Sequence, residues 1–110
     1  MTSPRRYTVL WAASATLDLD RVIDFIAQGD LSAAIHILRE IRLKADSLCH
    51  LPERGRVVPE LQAQDVTLYR ELIIKPWRVV YRIEAHRVYV LAVLDTRRNV
   101  EDLLLNRLIR

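Results

Sequence analysis

The apolar periodicity changes once along this chain, and that change limits the fold more than any other feature. Between residues 14 and 50 apolar side chains recur at helical spacing, and from residue 68 onward they alternate. Ala15, Leu19, Val22 and Ile26 mark one helical face; Ala34, Leu38, Ile41, Ala45 and Leu48 mark a second. Ser14 stands where the first helix needs an N-cap. Asp18 and Asp20 follow in early turns, where the helix dipole favours acids. Gly29 reads as a left-handed stop, Asp30 as the cap of the second helix, and Pro52 and Gly55 as its end. So short a link makes the two helices an antiparallel hairpin.

Residues 7–11 form an aromatic and β-branched run that predicts a first strand. Residues 53–67 read as irregular. Residues 68–74, 77–84 and 87–94 are three strand-type runs with short gaps, which predicts antiparallel pairing. The last run is apolar on both faces, as an interior strand is. Asn99 caps a short final helix, with Asp102 at N3 and Leu104 and Leu108 on one face. The expected fold is α+β, in the order β-α-α-β-β-β-α: a helix hairpin packed on an antiparallel-rich four-stranded sheet. Residues 1–110 make a single domain.

Composition narrows the function. Half of the 110 residues are apolar (51%), enough for one core. No run approaches the ~20 apolar residues of a membrane helix. The basic start at residues 1–6 is followed by no apolar leader segment, which predicts a cytoplasmic protein. The lone Cys49 agrees with a reducing compartment. His36, Cys49, His50 and His86 show no metal-ligand spacing, and two glycines make no phosphate loop, so neither metal nor cofactor is expected. Residues 1–53 carry a net charge of −1 and residues 54–110 a net of +4, so the second half is the side to meet an acidic partner. Fifteen of the 17 basic residues are arginine, which suits bidentate contacts with carboxylate or phosphate.

One constellation stands out. Alternation from residue 77 puts Arg78, Val80 and Arg82 on one strand face and Trp77, Val79, Tyr81 and Ile83 on the other. Arg70 lies on the preceding strand, and Arg97 and Arg98 follow the last one. A curved sheet brings Arg70, Trp77, Arg78, Arg82, Arg97 and Arg98 to one open surface, the candidate functional surface. No catalytic set accompanies it.

The segments L-P-E-R-G-R at 51–56, R-E-L at 70–72, P-W-R-V-V-Y-R-I at 76–83 and V-L-A-V-L-D-T-R-R at 90–98 resemble the ParE/RelE toxin superfamily of toxin–antitoxin systems. The likeness runs from the end of the first strand to Arg98, in the family's order of elements. It implies a toxin neutralised by a small acidic antitoxin.

The two branches differ in chemistry. RelE-type relatives cleave messenger RNA on the ribosome, and this chain matches them in two arginines, Arg78 and Arg98. Where they carry strand lysines this sequence has Tyr69 and Glu71, and where they carry a C-terminal tyrosine it has Leu104. Glu71 repels a phosphate unless it serves as a base, and the relatives that use a glutamate pair it with a histidine. His86 falls in a turn at the wrong end of the sheet. The R-E-L and P-W-R-V-V-Y pattern is more similar to the ParE branch, which implies inhibition of DNA gyrase by a binding surface, without catalysis and without sequence-specific nucleic-acid binding. The alternatives are a ribosome-dependent endoribonuclease and an inactive, partner-binding regulator.

Overall fold

The computed structural model describes residues 6–96, 101 and 105–107. Strand β1 (Thr8–Trp11) leads into helix α1 (Ala13–Gly29) and helix α2 (Leu31–Asp46), which a single 3-10 turn (Ser47–Cys49) extends. Then come β2 (Arg56–Val57), the one-turn helix α3 (Pro59–Gln62) and strands β3 (Tyr69–Ile74), β4 (Trp77–Glu84) and β5 (Arg87–Asp95). The sheet order is β1-β5-β4-β3-β2, antiparallel throughout except that β1 runs parallel to β5. The α+β class and the hairpin on the sheet are as expected. The sheet has five strands where four were expected. The extra one, β2, and α3 both fall in the stretch read as irregular.

The helical stripes meet the sheet as their spacing requires. Ala15 and Leu19 of α1 and Ile41 and Leu48 of the α2 arm pack on Trp77, Val79 and Tyr81 of β4 and on Val88 and Val90 of β5. The opposite face of the sheet carries a second, smaller core. There Val80, Ala92 and Leu94 lie against Val58 and Leu61, with Leu105 at the margin. Strand β5 is therefore covered on both faces, which explains its unbroken apolar run.

Four local expectations are corrected. Ser14 is not the cap of α1: Ala12 precedes the helix with no side-chain cap. The pairing shifts between Val80 and Tyr81, which leaves Leu91 as an extra residue in β5. Ser14 Oγ donates to the Leu91 carbonyl at 3.1 Å, and Asp18 accepts from Val93 N–H at 3.0 Å. Both contacts fall beyond Trp11, where β1 no longer pairs with β5, so α1 satisfies strand groups that β1 does not reach. Asp18 also holds Arg107 at 2.7 Å, so its role is tertiary rather than dipolar.

Gly29 is the last residue of α1 and has no positive φ. The chain instead turns at Asp30, whose extended backbone ends α1 while its carboxylate accepts from Ala33 N–H at 3.0 Å and caps α2. Helix α2 ends at Asp46, well before Pro52 and Gly55. The final helix predicted from Asn99 lies mostly outside the described residues; Glu101 and residues 105–107 are helical.

Asp30 is thus the joint of the hairpin. Asp30→Ala should lower unfolding free energy by about 1 kcal/mol, and Asp30→Asn by much less. Chemical denaturation checks this; an Ala variant as stable as the parent would show that the cap does not hold the joint.

Candidate functional site

The face of the sheet away from the hairpin carries a buried cluster of charge. Alternation along β4 sends Arg78 to that face with Val80, and cross-strand pairing of Glu71 with Val80 sends Glu71 there too. Both are almost fully enclosed, Glu71 at 1% and Arg78 at 5% exposure. Arg78 Nε and Nη2 each lie 2.6 Å from Glu71 Oε1. The outer edge of the same guanidinium grips Glu60: Nη1 to Oε2 at 2.6 Å and Nη2 to Oε1 at 2.7 Å. Arg56 Nε completes the set on Glu71 Oε2 at 2.8 Å. Two arginines face two glutamates, and the cluster is neutral.

Each member arrives by a different local rule. Pairing of β2 with β3 sets Arg56 opposite Glu71. Pro59 starts α3 at a position that needs no N–H donor, and the helix carries Glu60 onto Arg78 while Leu61 enters the second core. The bidentate bond from Arg78 holds the Glu60 carboxyl below the usual carboxylate range, against the opposing effect of partial burial. The same bond, with that to Glu71, raises the Arg78 guanidinium further above its already high value. Arg78 is permanently charged and its charge is answered from within.

A second knot fixes the L-P-E-R-G-R segment. Tyr81 Oη donates to the Pro52 carbonyl at 2.7 Å and accepts from Gly55 N–H at 3.0 Å. Burial pushes this phenol up from its ordinary value. A Cβ at Gly55 would lie 2.6 Å from both the Glu71 carbonyl oxygen and Tyr81 Oη, so only glycine fits there. Arg70 pairs across the sheet with Tyr81 and so belongs to the hairpin side. Its Nη1 donates to the carbonyls of Gly55 at 2.8 Å and Glu53 at 3.3 Å. The same segment and Tyr7 line an open cleft of about 550 Å³, which none of the sequence-predicted site residues enters.

Four of the six expected surface residues lie among the described residues, and these four are not gathered on one open surface. Trp77 lies in the hairpin-side core, its Nε1 without a hydrogen-bond partner among the described residues. Arg70 clamps a loop on that side, and Arg78 is buried on the other. Arg82 shares the face of Arg78 and is half-exposed, its Nη2 2.9 Å from Glu84 Oε2 and its Cζ 5.7 Å from the Tyr89 ring centre. Arg97 and Arg98 lie outside the described residues. Sequence reasoning missed Glu60 and Arg56. A signal for Glu60 existed in V-P-E-L, with proline at a first helical position and a core leucine behind it. Nothing local marks Arg56. Among the described residues no group of three His, Cys, Asp or Glu side chains could hold a metal ion, and no helix is long and apolar enough to cross a membrane.

The family model for the ParE toxin of the type II toxin–antitoxin system parDE matches residues 9–100. The chain belongs to the ParE toxin family. This ParE-family chain is 28% identical over 90 residues to Toxin RelE2 of Caulobacter vibrioides, across 82% of the chain and 96% of that relative. Its fold is similar to that in the chromosomal ParDE system of P. aeruginosa (TM-score 0.68, 18% identity, 83% of this chain and 97% of that one). It is also similar to a chain of the RelBE2 toxin–antitoxin complex of Mycobacterium tuberculosis (TM-score 0.54, 20% identity, 86% and 97%). At these identities the two structures attest the fold, and the family match makes this chain a type II toxin.

Removing one partner of the buried cluster should cost far more than a surface ion pair does. Arg78→Ala leaves the buried Glu71 Oε1 unanswered and should destabilise the toxin by about 3–5 kcal/mol. A loss under about 1 kcal/mol would show that the cluster is solvated. Because the Glu60 carboxyl is depressed in the folded state, its contribution is present above the ordinary value of 4.5 and is lost as pH falls through the lower folded value. Glu60→Gln should flatten that acid limb in denaturation curves taken at a series of pH values; an identical limb would contradict the assignment.

Proposed function

We propose that this ParE-family toxin inhibits DNA gyrase by binding it, cuts no messenger RNA, and is neutralised by a cognate acidic antitoxin. The gyrase target rests on the ParE family match, and the absence of cleavage on the occupied guanidinium of Arg78. A nuclease of the RelE type needs that cation for the scissile phosphate and nearby groups that move protons. Here the outer edge of Arg78 is taken by Glu60 and the inner edge by Glu71. A phosphodiester entering this position must displace Glu60 and then sit beside a buried carboxylate. Glu71 is equally unfit as a base, since both its oxygens accept from arginines. A binding toxin needs neither group free. Gyrase inhibition also accords with a cytoplasmic site of action.

The antitoxin rests on a different observation. Large apolar side chains stand exposed on the outer side of the hairpin, among them Leu17 and Phe25 of α1 and Leu31, Ile35 and Leu43 of α2, with Phe25 at 73% exposure. Apolar surface of this kind is what a partner segment covers. The second half of the chain carries the net positive charge that steers an acidic antitoxin toward it. The similar folds from P. aeruginosa and M. tuberculosis come from toxin–antitoxin systems.

Purified toxin should inhibit supercoiling by gyrase and should leave messenger RNA intact in a translating extract. Codon-specific cuts that depend on ribosomes and vanish in Arg98→Ala would establish the endoribonuclease instead. A folded toxin with neither activity, and harmless on induction, would be an inactive partner-binding member. Higher salt should slow antitoxin association more than it hastens dissociation; an association rate unchanged across salt would exclude electrostatic steering.

A further inference from the structure

With Arg78 engaged internally, the face it occupies also carries outward cations among the described residues at the far end of the strands. Tyr69 of β3 pairs with Arg82 of β4, and Arg82 pairs with Tyr89 of β5. Paired residues share a face, so the three side chains form a row across three strands spaced about 4.8 Å apart. Arg87 stands on the same face, its Nη1 3.5 Å from Tyr89 Oη, and Glu84 lies beside it. Tyr69 and Tyr89 are half-buried, Arg87 is exposed, and the Arg82 side chain is 37% exposed.

We infer that this Tyr69–Arg82–Tyr89 row, with Arg87, is the surface that grips the toxin's target, and that it takes an acidic protein surface. The inference rests on the gyrase reading above, which makes that protein gyrase. Three features carry it. The other arginines described on the strands serve the buried cluster or the loop, Arg56 and Arg78 on Glu71 and Arg70 on loop carbonyls, whereas Arg82 is paired with Glu84 at the surface. Tyrosine and arginine are the side chains that most often dominate binding energy at interfaces. Here they stand on strands, with Arg82 stacked near Tyr89, so little side-chain freedom remains to be lost on binding. The donors on offer, two guanidinium groups and the tyrosine hydroxyls, call for carboxylates opposite. Glu84 favours a protein over a nucleic acid: a protein surface can set a cation against it, whereas a phosphate chain cannot.

Arg82→Glu and Arg87→Glu test the patch in gyrase supercoiling assays, with thermal melting as the control for folding. Each variant should raise the half-inhibitory concentration roughly tenfold or more while melting within a few degrees of the parent. Arg87 is exposed, so its reversal keeps the test valid even if Arg82→Glu fails to fold. Folded variants that inhibit as well as the parent overturn the patch and leave the gyrase reading standing. A parent protein with no effect on supercoiling overturns both. A short labelled single-stranded oligonucleotide that binds the parent and is released by Arg87→Glu makes the row a nucleic-acid platform and overturns the protein partner.

Discussion

A carboxylate that is shut away from water must be answered on every oxygen, and Glu71 sets that condition for this fold. Its two oxygens are met by Arg78 and Arg56, and the free edge of Arg78 is met in turn by Glu60. Isolated burial of such a group costs several kcal/mol, which the mutual attraction offsets only when the geometry is tight. The cluster therefore ties β2, β3, β4 and α3 into one arrangement. None of the four can shift far without stranding a charge. The same arrangement lets Leu61 and Val58 close the second core over Val80 and Ala92.

The loop before β2 depends on the same corner of the sheet. The Glu71 backbone leaves room only for glycine at residue 55, and the Tyr81 hydroxyl ties both Gly55 and Pro52. Glu71 thus works in two directions, its side chain toward α3 and its carbonyl toward Gly55 at the start of the neighbouring strand. Family motifs that look separate along the chain, L-P-E-R-G-R, R-E-L and P-W-R-V-V-Y, meet here in space. They encode one packed junction as much as a reactive surface.

Most of the architecture was legible because it is periodic. The hairpin showed in the Ala15 and Ala34 stripes, and the three later strands showed in alternation bounded by short turns. Strand β2 and α3 were not legible, because two paired residues and one helical turn are shorter than any period. Their positions depend on distant partners: Arg56 and Glu60 bond residues 15 and 18 positions away, and Val58 and Leu61 enter the second core. The candidate surface misled for a related reason. Arginine in an alternating strand normally faces water, and only the distant glutamates reveal that Arg78 does not. Arg82, placed by the same alternation, did keep an outward face. Ser14 looked like a cap because the local pattern fits one, yet the extra residue Leu91 in β5 claimed its hydroxyl.

Two arginines on one strand thus have opposite fates. Arg78 is consumed by internal carboxylates and stabilises the fold; Arg82 stays at the surface between two tyrosines. Internal engagement of Arg78 accords with the binding role proposed above, and a free Arg78 guanidinium would accord with phosphodiester cleavage. The side-chain ¹⁵N–¹H resonance of Arg78 Nε reports directly on which applies. If the guanidinium is neutralised from within, that proton should exchange slowly with water and should not shift when a short messenger RNA fragment is titrated in. A resonance that exchanges rapidly, or that moves saturably with RNA, would contradict the internal neutralisation of Arg78 and the non-catalytic role proposed from it.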